Sequence, residues 1–347
     1  MTGPDMSPPC IDVVIPAFDE ETDIGRCLDH VFAQDHPPER MRVWVVDAGS
    51  TDGTADVVRA RPEPALSLIA GHGRLNAGQA LNLGIAAGHA ELVARVDAHT
   101  YLDREYLRRA AALMAQLGPE VGLVGGQPAQ VGETRFGEAV ARARRSRFGV
   151  GRGSVYADRR SRADVDTVQG GVYRRSALAA VGGFGATFRA GEDEECNWRL
   201  RRAGYRVVLD TSLAFTYTTR SSWSALFRQH RNYGASRATV VARHPGYLRP
   251  RHVVPSGFVA GVTGLAMAGV ASRPARRALA ATLTLYGAGL GVTSVSATRD
   301  DSTLAPRVAA ALTAMHLGYG IGLIAGVGSV VTTSLGLTTP RLTVTRR

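Results

Sequence analysis

Acidic side chains gather at three points in the first part of the chain: Asp47-Ala48-Gly49-Ser50-Thr51-Asp52-Gly53-Thr54, Asp97-Ala98-His99, and Gly191-Glu192-Asp193-Glu194-Glu195. Each admits a definite chemistry. In the second, a carboxylate followed two residues on by an imidazole can hold a divalent ion. Hard Mg²⁺ or Mn²⁺ prefers oxygen, and the imidazole tilts the pair towards Mn²⁺. Such an ion neutralises charge on a departing diphosphate. The competing reading is an Asp that caps the next turn beside an exposed His. In the first cluster, turn chemistry accounts for Gly49, Asp52 and Gly53. It does not require Asp47, whose carboxylate can accept a hydrogen bond from a base or ribose. In the third, four acids open a helix that closes with Arg199, Arg201 and Arg202, which complements the helix dipole. Glu195 and Arg199 form an i,i+4 pair. Four consecutive acids exceed what capping needs, and one of them can act as general base towards a hydroxyl.

The elements that must position these groups follow from the hydrophobic pattern. The first two clusters each close an apolar run, Val43-Trp44-Val45-Val46 and Leu92-Val93-Ala94-Arg95-Val96. Carboxylates at the ends of neighbouring parallel strands face the crevice where open α/β sheets bind nucleotides. Pro16-Ala17-Phe18-Asp19-Glu20 adds two acids at the same edge. Strands are expected over 11–16, 42–47, 66–70 and 91–97. Helices are expected over 21–34, 55–60 with Thr54 as cap, and 75–87. This alternation implies a parallel sheet with crossover helices. Beyond it come a helix over 103–117 with Asp103 as N-cap, a strand over 121–130 irregular at Gly125-Gly126, and a helix over 135–150. Residues 1–10 are expected to be disordered.

The net charge of +11 is carried by arginine alone, for the chain contains no lysine. A P-loop and a pyridoxal Schiff base are thereby excluded. Total avoidance of lysine reads as a genome-level bias, so each arginine carries less information than usual. Cys10, Cys27 and Cys196 fit no metal or redox spacing and are expected to be reduced and buried, which suggests a cytosolic setting for the soluble part. The N-terminus lacks a basic region followed by an apolar stretch, so no signal peptide is expected. Nine arginines fall within 135–162, either as a solvated face or as a contact for an anionic substrate or lipid headgroups.

Composition changes near residue 250. Residues 253–272 and 278–298 are uncharged runs of spanning length, and 308–340 is broken only by His316. They read as about three membrane helices, over 253–272, 278–298 and 308–331. The alternative is a soluble helical domain with small-residue cores. Gly257/Gly261, Gly287/Gly291, Gly318/Gly322 and Gly322/Gly326 have the spacing that lets helices approach closely. If the soluble part is cytoplasmic, three spans put Arg273, Arg276 and Arg277 on the far side. The positive-inside rule disfavours that placement, unless one segment is re-entrant or interfacial.

Further motifs complete an ordered set: Arg74 to Gly88 with Ala80-Leu81-Asn82, Gln169-Gly170-Gly171-Val172-Tyr173-Arg174, Gly182-Gly183-Phe184, and the helix opened by Glu192. Over residues 10–240 this set resembles the family 2 glycosyltransferases, inverting enzymes of the GT-A fold. Within them it is most similar to the membrane-bound enzymes of bacterial exopolysaccharide assembly, of the succinoglycan type. The resemblance implies an α/β GT-A domain with a mixed sheet over 11–247, followed by transmembrane helices. It implies that Pro16, Ala17, Glu20, Asp47, Arg74 and Asp97 bind the donor nucleotide. Asp97 and His99 would hold Mn²⁺ or Mg²⁺, and Asp193 would be the catalytic base. Gly170, Gly171 and Glu192 would meet sugar or acceptor. Gln229 and Arg231 stand where related polymerising enzymes carry Gln-x-x-Arg-Trp, but do not reproduce that spacing. Asp19 replaces the usual Asn, and His99 the second Asp of Asp-x-Asp, which leaves the metal's identity open.

The implied reaction moves a sugar from a nucleoside-diphosphate sugar to a lipid-linked or growing glycan, in exopolysaccharide or cell-envelope synthesis. It would take place at the inner cell membrane, with the catalytic domain cytoplasmic and other polysaccharide-assembly proteins as partners. Two alternatives stand beside it: transfer to polyprenyl phosphate, and a non-catalytic nucleotide-binding membrane scaffold. No nucleic-acid partner is expected, because basic and aromatic residues do not interleave.

Overall fold

The computed structural model describes residues 8–71, 73–150, 161–188 and 190–334. Most of the expected disordered stretch 1–10, the end of the span 308–340, and part of the arginine-rich segment lie outside these residues. Contacts divide the chain into two units: Met1–Val131 with Gly153–Thr218, and Gly132–Arg152 with Thr219–Arg347.

In the first unit the strands are β1 (Ile11–Ala17), β2 (Met41–Asp47), β3 (Leu66–Ala70), β4 (Leu92–Arg95), β5 (Thr100–Leu102), β6 (Val121–Gly125), β7 (Pro128–Val131), β8 (Arg162–Asp164), β9 (Gly171–Arg174), β10 (Arg206–Asp210) and β11 (Phe215–Thr218). Eight form one sheet in the order β3-β2-β1-β4-β9-β6-β10-β8, and β5-β11-β7 form a second. The half from β3 to β4 is parallel, as the βα alternation requires. The other half departs from that expectation, because β9 runs antiparallel between β4 and β6. A parallel β9 would need a crossover of a dozen residues or more, usually a helix.

The helices of this unit are α1 (Ile24–Phe32), α2 (Thr54–Arg59), α3 (Ala77–Ala87) and α4 (Tyr106–Leu117). After α5 (Arg135–Arg145) and α6 (Arg147–Val150), which belong to the second unit, come α7 (Arg175–Ala180) and α8 (Glu192–Arg202). Apolar residues at Ile24, Cys27, Leu28 and Val31 recur with helical period, so α1 buries one stripe against the sheet together with α2 and α4. Leu81, Ala177, Leu178, Cys196 and Leu200 bring α3, α7 and α8 onto the opposite face.

Several expected boundaries move for identifiable reasons. Thr54 is the first residue of α2 rather than its cap. Its hydroxyl accepts the Glu20 N–H at 2.8 Å, so it joins two loops instead. Asp103 does not cap α4. Its N–H donates to the Ala214 carbonyl, its own carbonyl takes Gln34 Nε2, and the helix starts at Tyr106. The expected strand over 121–130 is two strands in different sheets. The bend falls at Gly126, where a Cβ would lie 1.5 Å from the Leu213 carbonyl oxygen. The helix over 135–150 breaks at Ser146. Cys27 and Cys196 are buried as expected, but Cys10 is exposed, because it precedes β1 and lies outside the core packed on the sheet.

The second unit holds α5, α6, α9 (Trp223–Arg243), α10 (Pro250–Gly269), α11 (Arg273–Ala297) and α12 (Ala305–Ser334). Three helical segments are long and apolar enough to cross a membrane: Pro250–Gly269, Arg273–Ala297 and Ser302–Thr332. They differ in cover. The most apolar stretches of α10 and α11 are 11% and 6% buried, whereas that of α12 is 50% buried. Leu304, Val308, Ala311, Leu312 and Met315 pack with Ala139, Val140 and Ala143 of α5 and Leu226 of α9. Further along, Gly318, Gly322 and Gly326 admit the α9 backbone so closely that a Cβ on them would lie 2.6, 2.0 and 2.7 Å from the carbonyls of Phe227, Arg231 and Ala235. Gly257, Gly261, Gly287 and Gly291 face open space.

Candidate active site

Donor-side and acceptor-side candidates of the first unit come from the ends of β1, β2 and β4 and the start of α8. The in-register parallel pairing sets Ala17 beside Asp47 and Asp47 beside Ala70, so these chain ends share one edge. Asp47 Oδ1 accepts the Ser50 N–H at 3.0 Å, which curls the following loop back on the strand. Asp19 sits at φ 52°, in the left-handed region. Its carboxylate accepts the Thr51 N–H at 2.8 Å and its own N–H donates to Ser50 Oγ, so the loops after β1 and β2 brace each other. That strained position suits Asp or the more usual Asn. Pro16 and Ala17 end β1, and the exposed guanidinium of Arg74 lies 4.2 Å from the Phe18 ring centroid.

At the end of β4, burial acts to raise the Asp97 carboxyl, but Arg95 and His99 outweigh it and hold the group below the ordinary carboxylate range. His99 Nδ1 meets Glu20 Oε1 at 3.1 Å. Although burial opposes the charged ring, that contact and the charge of Asp97 raise the imidazole to about 9. No cluster of three or more metal-ligating side chains occurs among the described residues. The pair Asp97 and His99 nevertheless fits a divalent ion. A carboxylate on Nδ1 fixes a His ring with Nε2 outward, the usual support behind a metal-bound imidazole. Mg²⁺-like ions are commonly held by one or two side chains, with substrate phosphates completing the shell.

Across from β4, Gly191 at φ 79° turns the chain into α8. Glu192 is buried, and Asp193 stays partly exposed. Asp193 Oδ1 accepts the Glu194 N–H at 2.7 Å. Burial pushes its carboxyl up to about 7, with Arg95 pulling down and Glu192 and Glu194 pushing up. Glu195 has a structural part: both its oxygens are taken by Arg199, which also binds the carbonyls of Val181 and Gly183. Gly183-Phe184 is in turn latched to α3, because Asn82 exchanges two hydrogen bonds with the Phe184 backbone at 2.8 and 2.9 Å.

Gly170 and Gly171 have φ of 62° and 136°, and they line a small niche with Arg95 and Asp97. Gln229 and Arg231 belong to α9 in the second unit, where Gln229 Oε1 accepts from Arg144 at 2.8 Å. Sequence reasoning missed Arg95. This residue is 8% exposed and lies between Asp97 and Glu192, with Nη2 at 3.1 and 2.9 Å from their oxygens. A charge inside the apolar run 92–96 was the available signal, because a buried charge must be paired.

Comparison with known proteins bears on the family and the fold. Residues 12–181 match the glycosyl transferase family 2 model. The succinoglycan biosynthesis protein ExoA of Rhizobium meliloti is 30% identical over 256 residues, covering 71% of this chain and 76% of the relative. A dolichyl N-acetyl-alpha-D-glucosaminyl phosphate 3-beta-D-2,3-diacetamido-2,3-dideoxy-beta-D-glucuronosyltransferase of Methanococcus voltae is 25% identical over 261 residues, 72% of this chain and 78% of that one. In fold, the mannosyltransferase PcManGT of Pyrobaculum calidifontis, solved with GDP-Man and Mn²⁺, superposes with a TM-score of 0.58 at 23% identity over 90% of each chain. A 30% identity sustained over three quarters of the succinoglycan protein, on a mixed sheet of GT-A type, makes this chain a glycosyltransferase that belongs to glycosyl transferase family 2.

Proposed function

We propose that the enzyme moves a sugar, with inversion, from a nucleoside-diphosphate sugar to a hydroxyl of a lipid-linked or growing glycan at the inner membrane. Exopolysaccharide or cell-envelope synthesis is the pathway class that the succinoglycan relative suggests. The observation that carries this reading is Asp193: a partly exposed carboxylate at the start of α8, raised towards neutrality, in one cluster with Arg95 and Asp97.

In this reading Pro16, Ala17, Glu20, Asp47 and Arg74 hold the donor's base and ribose. Asp97 and His99 would hold Mn²⁺ or Mg²⁺, which when bound offsets negative charge on the diphosphate. Asp193 accepts the proton of the acceptor hydroxyl as its oxygen bonds to the anomeric carbon. The bond to the diphosphate oxygen breaks on the opposite face, and that oxygen keeps the electron pair. Gly170 and Gly171 let backbone approach the sugar, Glu192 supports the base, and Gln229 with Arg231 is assigned to the acceptor. A base titrating near neutrality suits a hydroxyl better than a polyprenyl phosphate, which is already ionised and needs no base. The cytoplasmic side is proposed for the catalytic unit, where activated nucleotides are available.

The test uses the full chain in detergent or nanodiscs, with GDP-mannose, UDP-glucose and UDP-N-acetylglucosamine, each with Mn²⁺ or Mg²⁺. Release of one nucleoside diphosphate, dependent on a glycolipid acceptor and abolished by Asp193→Asn, is the expected result. Transfer at wild-type rate by Asp193→Asn would sink the assignment.

A further inference from the structure

The buried guanidinium of Arg95 has no part in the transfer as described so far, yet it faces Asp97, Glu192 and Asp193 together. Nε and Nη2 both donate to Asp97 Oδ1, at 3.2 and 3.1 Å. Nη2 also reaches Glu192 Oε1 at 2.9 Å, and Nη1 stands 3.9 Å from Asp193 Oδ2. Nη1 is buried and makes no hydrogen bond within the described residues. The Phe184 ring lies 5.8 Å from the guanidinium carbon, and a niche of about 10 Å³ bounded by Gln169, Gly170 and Gly171 adjoins it. Asp97 follows β4 on the donor side, while Glu192 and Asp193 open α8, which is remote in sequence. Few other contacts could fix the distance between two such elements so directly.

We propose that Arg95 is a positioning residue of the transfer: its planar fork sets the spacing between Asp97 and the Glu192–Asp193 pair, so that the donor and acceptor sides keep one geometry. The inference rests on Asp193 being the base. An arginine suits this part because it presents five donors in a rigid fork, where lysine offers only a point charge. Among the described residues, the groups that face Asp193 are Arg95 from β4, Tyr173 from β9, and Glu192, Glu194 and Cys196 on its own helix, and Arg95 is the cation in that set.

The experiment compares Arg95→Lys, Arg95→Gln and Glu192→Gln in the full-length enzyme, using the sugar nucleotide that the release panel selects. Displacing a reacting group by about 1 Å costs on the order of 100-fold in rate. We expect a kcat loss of that order in Arg95→Lys, with donor KM and melting temperature near wild type. The double variant Arg95→Lys/Glu192→Gln should lose far less than the product of the two single losses. In Arg95→Gln the acidic limb of the kcat profile should move to higher pH, and Arg95→Lys should return it towards wild type without restoring kcat. A merely structural ion pair would lower the melting temperature and leave kcat per folded molecule and the limb in place. If Arg95→Gln does not fold, Arg95→Lys and Glu192→Gln still decide. Full kcat in Arg95→Lys while Asp193→Asn is dead overturns this inference alone; an active Asp193→Asn overturns the base assignment beneath it.

Discussion

Asp193 and His99 illustrate how one fold raises two titrating groups by opposite causes. Burial raises the Asp193 carboxyl to about 7, whereas Glu20 and Asp97 raise His99 to about 9 against burial. A base works deprotonated, so transfer should switch on as pH rises through about 7 and be lost below it. A kcat profile flat from pH 5 to 8 would contradict this. Besides its proposed place on the donor side, Glu20 supports His99. Its carboxylate on Nδ1 orients the imidazole, and loss of such a support typically costs about 10- to 100-fold in metal affinity. Glu20→Gln should therefore raise the Mn²⁺ concentration needed for half-maximal rate by about that factor, as read from a metal titration. The acids were legible in the sequence because carboxylates at strand ends have few structural reasons to be there. Arg95 was not, since a lysine-free chain makes every arginine look ordinary, and its three partners converge only through folding.

Among the elements, the parallel half of the sheet was readable because β1, β2 and β3 are each followed by a helix. The antiparallel β9 was not, since strand direction follows from the connection and leaves no mark on the hydrophobic pattern. The glycines of the last helices show the same limit. By spacing alone, Gly257/Gly261, Gly287/Gly291 and Gly318/Gly322/Gly326 are equivalent. Packing separates them: the last set lies against the α9 backbone, and the others meet nothing within 4 Å. Gly322→Val would drive a Cβ to 2.0 Å from the Arg231 carbonyl oxygen. Overpacking of this kind costs about 1–3 kcal/mol or more. Gly261→Val should leave the melting temperature of the detergent-solubilised protein almost unchanged, while Gly322→Val lowers it by several degrees. Equal effects would contradict the packing of α12 on α9.

For the whole molecule, the issue is which apolar surface meets lipid. Helices α10 and α11 expose Val254, Met267, Leu285 and Val292, while half of the most apolar stretch of α12 is buried and residues of α12 pack with α5 and α9. α9 carries Arg228, Arg231, Arg237 and Arg243, which have no place in a hydrocarbon core. The connector after α11 is held as well: Asp300 and Asp301 pair with Arg142 and Arg135 of α5, at 2.5 and 2.8 Å. We therefore expect α10 and α11 to cross as a hairpin and α12 to stay with α5 and α9. Single cysteines at Ala271 and Thr303, in a chain whose native cysteines are replaced, should label from opposite faces of sealed vesicles; labelling from one face would refute the hairpin.

The ion pairs that fasten the connector to α5 also fix a parity. A chain that enters the bilayer after α9 and is tied back to α5 after α11 has crossed an even number of times. An even count returns α12 to the side of the membrane from which α10 entered, so its ends are reached from the same face as α5.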